Sequence, residues 1–431
     1  MIDQLIQDIK SVFGTVKEHR YKNARIPLSE FLQHGFTMFH LKDPSLNQYR
    51  ETYPEREANL KRIYGVDFLP SDTAIREGID GIAPSDVQEC FKVPLKVVEE
   101  QGIMDEYLVL GRYKSILFDG TQHYCSAKTP CEHCLTRVHR NKKGEVTKTT
   151  YSHQALAAVM AHYEYKEVFP IACEAIVKQD GEQKNDCELN ASKRLLPIVR
   201  DMLPETKHDV LGVFDALYAN GPHIKLLQSL HMSYIIGIRD GYVLVQVERL
   251  EKENSLHHKE WTTETGVKCT AKWSNNLILN GEHQDMTTNY FEYTEVDADG
   301  KQLYYNTWIS DIEVNEKNVV ELIKVGRSRW KIENETFNTL KNQGYHLEHS
   351  YGHGEKYLAT NLMLLTFMAF LVDQIAQKVD AAFDRAIKRY KTRKRFWEKV
   401  RQVFDFLPCM SMNVVYRFIA GEIKVDFPLL E

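Results

Sequence analysis

The sequence predicts an α/β protein in which a mixed sheet is flanked by helices and interrupted by a β-rich insertion, with a helical N-terminal domain and a helical C-terminal tail. The first observation is helical spacing of apolar residues at the start of the chain, at Ile2, Leu5 and Ile9. The second is a change at Tyr107 to short apolar runs separated by turn residues, which is typical of strands. The third is a helix–strand–helix–strand order between residues 184 and 238, which indicates helices covering a mixed sheet.

The composition is that of a soluble globular protein. The chain has 431 residues, 43% hydrophobic and 27% charged, with a net charge of −5. This charge excludes a generally basic nucleic-acid-binding protein, so any nucleic-acid site must be a local patch. The N-terminus lacks a signal peptide, the apolar run Asn361–Val372 is too short to cross a bilayer, and the eight cysteines are too sparse for a disulfide scaffold. We therefore expect a cytoplasmic protein with no membrane partner.

The pattern of elements predicts five regions along the chain. Short helices with polar caps, such as the one after Ser71, suit a small DNA-binding module and any small helical bundle equally well. Four segments with alternating polarity predict strands in the insertion: Tyr242–Val247, Val267–Trp273, Tyr290–Val296 and Leu303–Ile309. The predicted regions are a helical N-terminal DNA-binding domain (1–105), a first core part (106–240), the insertion (241–312), a second core part (313–378) and a basic helical C-terminal region (379–431).

Three acidic residues are candidates for a metal-dependent active site. Asp119 and Asp215 each follow an apolar strand, and Glu333 falls in the apolar stripe of a helix when residues are placed at 100° intervals. Carboxylates that converge on one site can hold two Mg²⁺ ions for phosphoryl transfer. The alternatives are turn formation by Asp119-Gly120 and an ion pair of Glu333 with Arg329, one helical turn earlier.

The segment GRSRWKIENETFNTLKNQGYHLEHSYGHG, residues 326–354, resembles the helix motif of DDE transposases from bacterial insertion sequences, in the insertion sequence four family. That family has the pattern Tyr-x2-Arg-x3-Glu-x6-Lys, with Arg-Trp-x-Ile-Glu at its centre. The upstream segments SILFDGT and VLGVFDALY suit its two aspartate strands, and the resemblance covers residues 60–375. It implies an RNase H-like core in which Asp119, Asp215 and Glu333 bind Mg²⁺ (Mn²⁺ substituting), and in which Arg329 holds a DNA phosphate.

The segment departs from the family pattern at two positions. Gly326 stands where the pattern has tyrosine, and Leu340 stands where it has lysine, with Lys341 one residue later. Lys341 lies about 80° from Glu333 on an ideal helix, so it remains a candidate for contacting the same DNA backbone. Arg327 is a further candidate cation for DNA in this segment.

The resemblance also assigns a role to Trp308 of the insertion. In related transposases an aromatic residue at this place stacks on a base flipped out near the element's end, and stacking suits any base. Packing within a strand is an equally good explanation for this tryptophan.

The C-terminal region carries nine Lys or Arg against one Glu between Arg385 and Arg401. Clustered cations favour phosphate contact, although a solvated helix face has the same composition. The apolar segment FDFLPCM that follows could serve a homodimer, since relatives use this region to dimerise. The candidate DNA contacts in the run are Lys391, Arg393, Lys394 and Arg395.

The pair Cys131-x2-Cys134 could form half of a structural zinc site. Its second ligand pair would have to come from scattered residues such as His153 or Cys173, and ordinary reduced cysteines on a hairpin are the alternative. Asp186 and Glu188 lie near a predicted helix start, where favourable interaction with the helix dipole explains them without a catalytic role.

The sequence as a whole predicts a bacterial DNA transposase that binds the terminal inverted repeats of its element and target DNA, as a homodimer on double-stranded DNA. Two alternatives remain: a transposase-derived DNA-binding protein without catalysis, and an RNase H-like nuclease. Nuclease activity without strand transfer or preference for one repeat would distinguish the latter.

Overall fold

The computed structural model describes residues 1–21, 24–178, 185–203 and 209–425. Its N-terminal part is helical, and the predicted apolar face of the first helix is buried. Ser71 forms the predicted cap, because its side chain accepts a hydrogen bond from the amide of Ala74. The helices are α1 (Ile2–Phe13), α2 (Leu28–His40), α3 (Leu46–Glu51), α4 (Tyr53–Asn59), α5 (Asp72–Asp80), α6 (Pro84–Glu89), α7 (Lys92–Glu100) and α8 (Ile103–Glu106), with a π-helical turn at Leu60–Tyr64.

The strands of the described residues form one continuous sheet. Its order is β3-β4-β2-β6-β7-β11-β10-β9-β8, with β1 paired to β2 and β5 paired to β4. The strands are β1 (Leu108–Val109), β2 (Tyr113–Ser126), β3 (Leu135–Arg140), β4 (Val146–Ala161), β5 (Val168–Ile176), β6 (Asp209–Phe214), β7 (Met232–Gly237), β8 (His257–Thr262), β9 (Lys268–Ile278), β10 (Thr287–Val296) and β11 (Gln302–Ser310).

The centre of the sheet has the order β5-β4-β2-β6-β7. Strand β2 is parallel to β6, and β6 is parallel to β7, whereas β4 is antiparallel to both β2 and β5. Helices α9 (Glu188–Met202) and α10 (Gly221–Ser229) lie in the crossovers that lead into β6 and β7. This mixed sheet flanked by helices confirms the predicted fold class.

The β-rich insertion extends the central sheet. Its last strand, β11, pairs with β7 through residues 308–310, so β8 to β11 continue outward from the core. The strand prediction for Tyr242–Val247 is wrong, because this segment begins helix α11 (Tyr242–Lys252). Val243 and Val247, one helical turn apart, are buried, while Val245 is exposed. Valines at every second position therefore suggested a strand, although two of them form the buried face of a helix.

The chain after the insertion is helical, as predicted. Its longest helix is apolar enough to cross a membrane by length and composition, but 89% of its most apolar window is buried within the protein. Asn361–Val372 is thus a core segment, as predicted. The helices are α12 (Val319–Arg327), α13 (Asn338–Asn342), α14 (Leu358–Val379), α15 (Ala381–Lys388), α16 (Arg393–Phe406) and α17 (Met412–Ala420), with a π-helical segment at Ile332–Phe337.

The N-terminal and C-terminal helices pack together around α14. The Asn59 amide donates hydrogen bonds to the carbonyl oxygens of Phe404 (3.0 Å) and Leu407 (2.8 Å). Asp373 of α14 is fully buried and forms an ion pair with Lys42, which follows α2. These contacts place the two ends of the chain against one core, while the region boundaries taken from the sequence remain predictions.

Candidate active site

Asp119 and Asp215 lie on neighbouring parallel strands. The pairing of β2 with β6 ends at Leu117 opposite Val213, and each aspartate comes two residues after its strand's last paired position. Side chains two residues apart share a face of a strand, so both carboxylates lie on the same side of the sheet. The turn alternative for Asp119 is wrong, because β2 continues to Ser126 through antiparallel pairing with β4.

Asp119 is half-buried and has two partners. One oxygen accepts a hydrogen bond from the Gly120 amide at 3.0 Å, and the other forms an ion pair with Nη1 of Arg329 at 2.9 Å. Burial raises the pKa of Asp119, an effect that Arg329 and the Gly120 amide oppose and that the charge of Asp215 reinforces. Arg329 therefore neutralises Asp119. It is paired with this aspartate and not with Glu333, which the sequence had offered as an alternative partner.

Asp215 marks the point where β6 gives way to a 3₁₀ turn at Ala216–Tyr218. Its Oδ1 accepts a hydrogen bond from the Leu217 amide at 2.9 Å and thereby caps that turn. The carboxylate is half-buried at the edge of the sheet, beside Asp119. The cap fixes the start of the turn and leaves a carboxylate at the strand end, where ligands of such sheets are bound.

Glu333 lies on the π-helical segment Ile332–Phe337 and is exposed. The prediction that it faces the core is wrong, because the segment is not one regular α-helix: α12 ends at Arg327 and a π-helical segment follows, so the 100° spacing on which that placement depended does not hold. Trp330, three residues earlier, is also exposed, at 45%. Single π turns inside helices occur frequently at functional sites.

Glu333, Asp119 and Lys341 line one open cleft of about 460 Å³. Lys341 also forms an ion pair with Glu348 at 3.1 Å, whereas Leu340 is fully buried in the core. Lys341, one residue after the position where the family pattern has lysine, is therefore the residue that reaches the cleft. The lining residues are Asp119, Gly120, Thr121, Gln122, Glu333, Phe337, Asn338, Lys341 and Asn342.

Glu188, the first residue of α9, is a fourth acid at this site. Burial raises its pKa, and so do the charges of Asp119 and Asp215. Gly120 makes room for it, since a Cβ there would lie 2.4 Å from Oε1 of Glu188. The buried Tyr218 hydroxyl is close enough that Glu188 raises the pKa of this phenol in addition to the effect of burial.

In the sequence, Glu188 was explained by a favourable interaction of its carboxylate with the helix dipole. Its neighbour Asp186 fits a structural role, since it forms an ion pair with Arg194 at 2.8 Å. The sequence signal for Glu188 was an acid at a helix start directly before the strand that carries Asp215. Sheet pairing, which the sequence does not reveal, brings it next to Asp119.

Trp308 is buried, at 2% exposure, and stacks on Phe291 with ring centroids 5.3 Å apart. This position leaves no ring face open to a base. It agrees with the alternative explanation, in which the tryptophan packs within the strand. Trp308 also explains Gly326, because a Cβ at that position would lie 2.8 Å from the indole Nε1. A tyrosine at position 326 is incompatible with this arrangement.

The remaining candidate DNA contacts are cations at the surface. Arg327 forms an ion pair with Glu295 and lies over the ring of Tyr304 at 4.4 Å. In the C-terminal run, Phe396 and Trp397 are buried, so the aromatics of this segment belong to the core. Of its four predicted contacts, Lys391, Lys394 and Arg395 are exposed, while Arg393 is half-buried and donates to the Gln377 side chain.

The acids at this site offer the hard oxygen ligands that Mg²⁺ and Mn²⁺ prefer. The carboxylates of Asp119, Glu188 and Asp215 lie close enough to influence one another, and Arg329 is the cation paired to Asp119. Their oxygens do not form a compact set in this structure: of the His, Cys, Asp and Glu residues in the described ranges, the group whose ligand atoms all lie within 4.8 Å is a different one, made of cysteines and histidines. The donor chemistry fits a divalent cation, and in this structure Arg329 compensates the charge of one of the carboxylates, Asp119.

Comparison with known proteins gives a match to a family model and remote similarities to solved structures. Residues 180–371 match the family model of the transposase DDE domain. A piggyBac transposase, in a synaptic complex with hairpin DNA, is similar at a TM-score of 0.38 and 11% sequence identity, over 99% of this chain and 80% of that chain. No curated protein matches the chain. The part of the chain that supplies Glu188, Asp215 and Glu333 is thus similar to the transposase DDE domain.

Proposed function

We propose that this protein is a DNA transposase of a bacterial insertion sequence, which cuts DNA at terminal inverted repeats and joins the ends to a target. The observation that carries the proposal is the placement of Asp119 and Asp215 on adjacent parallel strands, with Glu333 in the cleft beside Asp119. The match of residues 180–371 to the transposase DDE domain supports it. A cytoplasmic protein acting on the bacterial chromosome is the corresponding expectation.

The carboxylates of Asp119, Asp215 and Glu333 would hold the metal ions, and Glu188 would complete the acidic shell. When bound, two divalent cations activate the attacking hydroxyl and stabilise the leaving oxygen of an in-line displacement. Hydrolysis of one phosphodiester leaves a 3′-hydroxyl on the element's end and a 5′-phosphate on the flanking strand. This hydroxyl then attacks the phosphorus of a target phosphodiester, and the target's 3′-hydroxyl is the leaving group. The side chains position the reacting groups, and no covalent link between protein and DNA forms.

Arg329 would change partners during this cycle. In the free protein its guanidinium compensates the half-buried charge of Asp119 at 2.9 Å. With a cation held by Asp119, the guanidinium would no longer be needed to compensate that charge, and Arg329 would be available to a DNA phosphate next to the cleft. Arginine suits this role because its planar donors match phosphate oxygens in pairs.

A basic surface would continue the DNA path away from the cleft. Lys341 lines the cleft itself, and the backbone of Lys394 lies near the turn that follows α13, 3.9 Å from the position that a Cβ at Gly344 would take. Exposed Lys391 and Arg395 flank Lys394 at the start of α16. These cations would bind the phosphates of double-stranded DNA without reading its sequence.

Two copies of the chain are needed to hold two element ends together. We expect a homodimer on DNA, and the segment FDFLPCM offers apolar surface for it. Phe406 is 79% exposed and Met410 is 70% exposed. These two exposed apolar side chains, four residues apart, are the candidate contacts of such a dimer.

The test is cleavage of a duplex that contains an element end, with Mg²⁺ or Mn²⁺, by wild type and by Asp215→Ala. Wild type should nick at the end and transfer the strand to a second duplex, and the variant should do neither while retaining DNA binding. Equal nicking by both proteins would contradict the catalytic assignment, and DNA binding without cleavage would point to a DNA-binding protein derived from a transposase. Cleavage without strand transfer or preference for the repeat would point to a nuclease.

A further inference from the structure

We propose that Cys131, Cys134, His153 and His353 bind a structural zinc ion, at a site separate from the acidic cleft. One ligand atom from each of these four side chains lies within 4.8 Å of all the others. Two thiols and two imidazoles are the donor set of a common structural zinc site. Cys173, the other candidate considered from the sequence, lies on β5 and is not part of this group.

The two cysteines are held by a tight turn between β2 and β3. The amide of Cys134 donates to the carbonyl oxygen of Cys131 at 3.2 Å, and the amide of Cys131 donates to Sγ of Cys134 at 3.4 Å. The two sulfurs are 3.4 Å apart, far beyond the roughly 2.05 Å of a disulfide bond. An amide that points at a sulfur stabilises the thiolate form, which is the form that binds metal.

The distances between ligand atoms are close to those of a tetrahedral zinc site. Zinc bonds of about 2.3 Å to sulfur and about 2.0–2.1 Å to nitrogen separate two sulfurs by about 3.8 Å, and a sulfur and a nitrogen by about 3.6 Å. Here Nε2 of His153 lies 3.1 Å from Sγ of Cys131 and 3.3 Å from Sγ of Cys134. An outward shift of about 0.5 Å by the ligands would open the cage to the size of zinc.

His353 gives the strongest indication that a ligand binds at this site. Both of its ring nitrogens are buried, and neither has a hydrogen-bond partner within the described part of the chain. A buried imidazole without partners is unfavourable, because its nitrogens lose their bonds to water. Coordination of one nitrogen to zinc would remove part of this cost, and the ring is already 5.0 Å from the ring of His153.

The loop that carries His353 is fixed from the side of the N-terminal helices. His353 stands between Gly352 and Gly354, both with positive φ, a conformation that other residues rarely adopt. Asp80 at the end of α5 accepts hydrogen bonds from the backbone amides of the next residues, including Leu358 at 2.8 Å. This anchoring holds His353 close to the two cysteines before a metal ion binds.

Zinc at this position would join three segments that are distant in sequence. The turn with the cysteines follows β2, which carries Asp119, and His153 lies on β4, next to β2 in the sheet. The His353 loop follows the helical segment that carries Glu333. With four protein ligands the ion has no open position for substrate. Its role is therefore structural: it fixes the position of the His353 loop relative to β2 and β4.

The first test is metal content of the full chain purified from zinc-supplemented medium. We expect one zinc per chain in the wild type, and loss of zinc in Cys131→Ser/Cys134→Ser and in His353→Ala. Two matched controls should retain zinc: Cys125→Ser, which replaces an exposed cysteine of the same region, and His139→Ala, which replaces a histidine bonded to Thr150. Wild type without zinc, or equal zinc in all variants, would overturn the proposal.

The second test needs only the wild-type fold and one conservative variant. Cobalt exchanged into the wild-type protein should give the visible absorption of a tetrahedral ion with thiolate ligands, and His353→Cys should retain the metal with a spectrum shifted by a third sulfur. An octahedral spectrum, or no difference between these two proteins, would contradict the assignment. DNA cleavage is not measured here, so failure of the zinc site and failure of the proposed function are distinguishable.

Discussion

The contact between Gly326 and Trp308 yields a stability prediction whose sign depends on the structure. Gly326 lies within α12 without a positive φ, so replacement by alanine would ordinarily stabilise the helix by roughly 0.5–1 kcal/mol. In this protein the new Cβ would lie 2.8 Å from Nε1 and 2.9 Å from Cε2 of the buried Trp308 ring. Overpacking of this kind costs about 1–3 kcal/mol. We therefore expect Gly326→Ala to destabilise the protein by about 0–2.5 kcal/mol, the difference between these two ranges.

A double-mutant cycle separates the two contributions. In a Trp308→Leu background the clash is absent, so Gly326→Ala should there stabilise the protein by roughly 0.5–1 kcal/mol. The coupling between the two sites should be about 1–3 kcal/mol, measured by chemical denaturation followed by far-ultraviolet circular dichroism. Gly281→Ala is the control, because nothing lies within 4 Å of the Cβ added there. Stabilisation by Gly326→Ala in both backgrounds would refute the reasoning.

Three further predictions concern the acidic site, the buried core and the basic surface. Gly120→Ala should abolish cleavage while the circular dichroism spectrum is retained, because the added methyl group takes the place of the Glu188 carboxylate; cleavage at the wild-type rate would contradict this. Asp373→Asn should lower the free energy of unfolding by about 3–5 kcal/mol in a denaturation experiment, because it leaves the fully buried ammonium of Lys42 without its counter-charge, and a change below about 1 kcal/mol would contradict it. Lys394→Glu should weaken binding to any duplex and reduce its salt dependence, whereas a loss confined to one sequence would exclude a phosphate contact.

The sequence was sufficient for features that depend on local pattern. Apolar periodicity predicted α1 and the buried helix at Asn361–Val372, and the apolar runs before Asp119 and Asp215 predicted two carboxylates on adjacent strands. Each of these depends on residues within one element, or on the general rule that adjacent parallel strands align their ends.

Other features depend on geometry that no local pattern contains. The orientation of Glu333 was predicted wrongly because an ideal helical wheel assumes one regular α-helix, whereas α12 ends at Arg327 and a π-helical segment follows. Glu188 reaches the site only because α9 packs on β4 and β5 and brings its first residue to Gly120 of β2. His353 follows Cys131 by more than two hundred positions, so only the folded chain shows that the two side chains meet.

Replacement of Asp215 by cysteine distinguishes a residue that binds a metal ion from one that acts in another way. Thiolate is a softer ligand than carboxylate, and Mn²⁺ accepts it more readily than Mg²⁺ does. We expect Asp215→Cys to cleave an end-containing duplex in Mn²⁺ but not in Mg²⁺, while Asp215→Ala cleaves it in neither. Equal activity of the cysteine variant in both metals, or equal inactivity of both variants in both metals, would contradict direct coordination by Asp215.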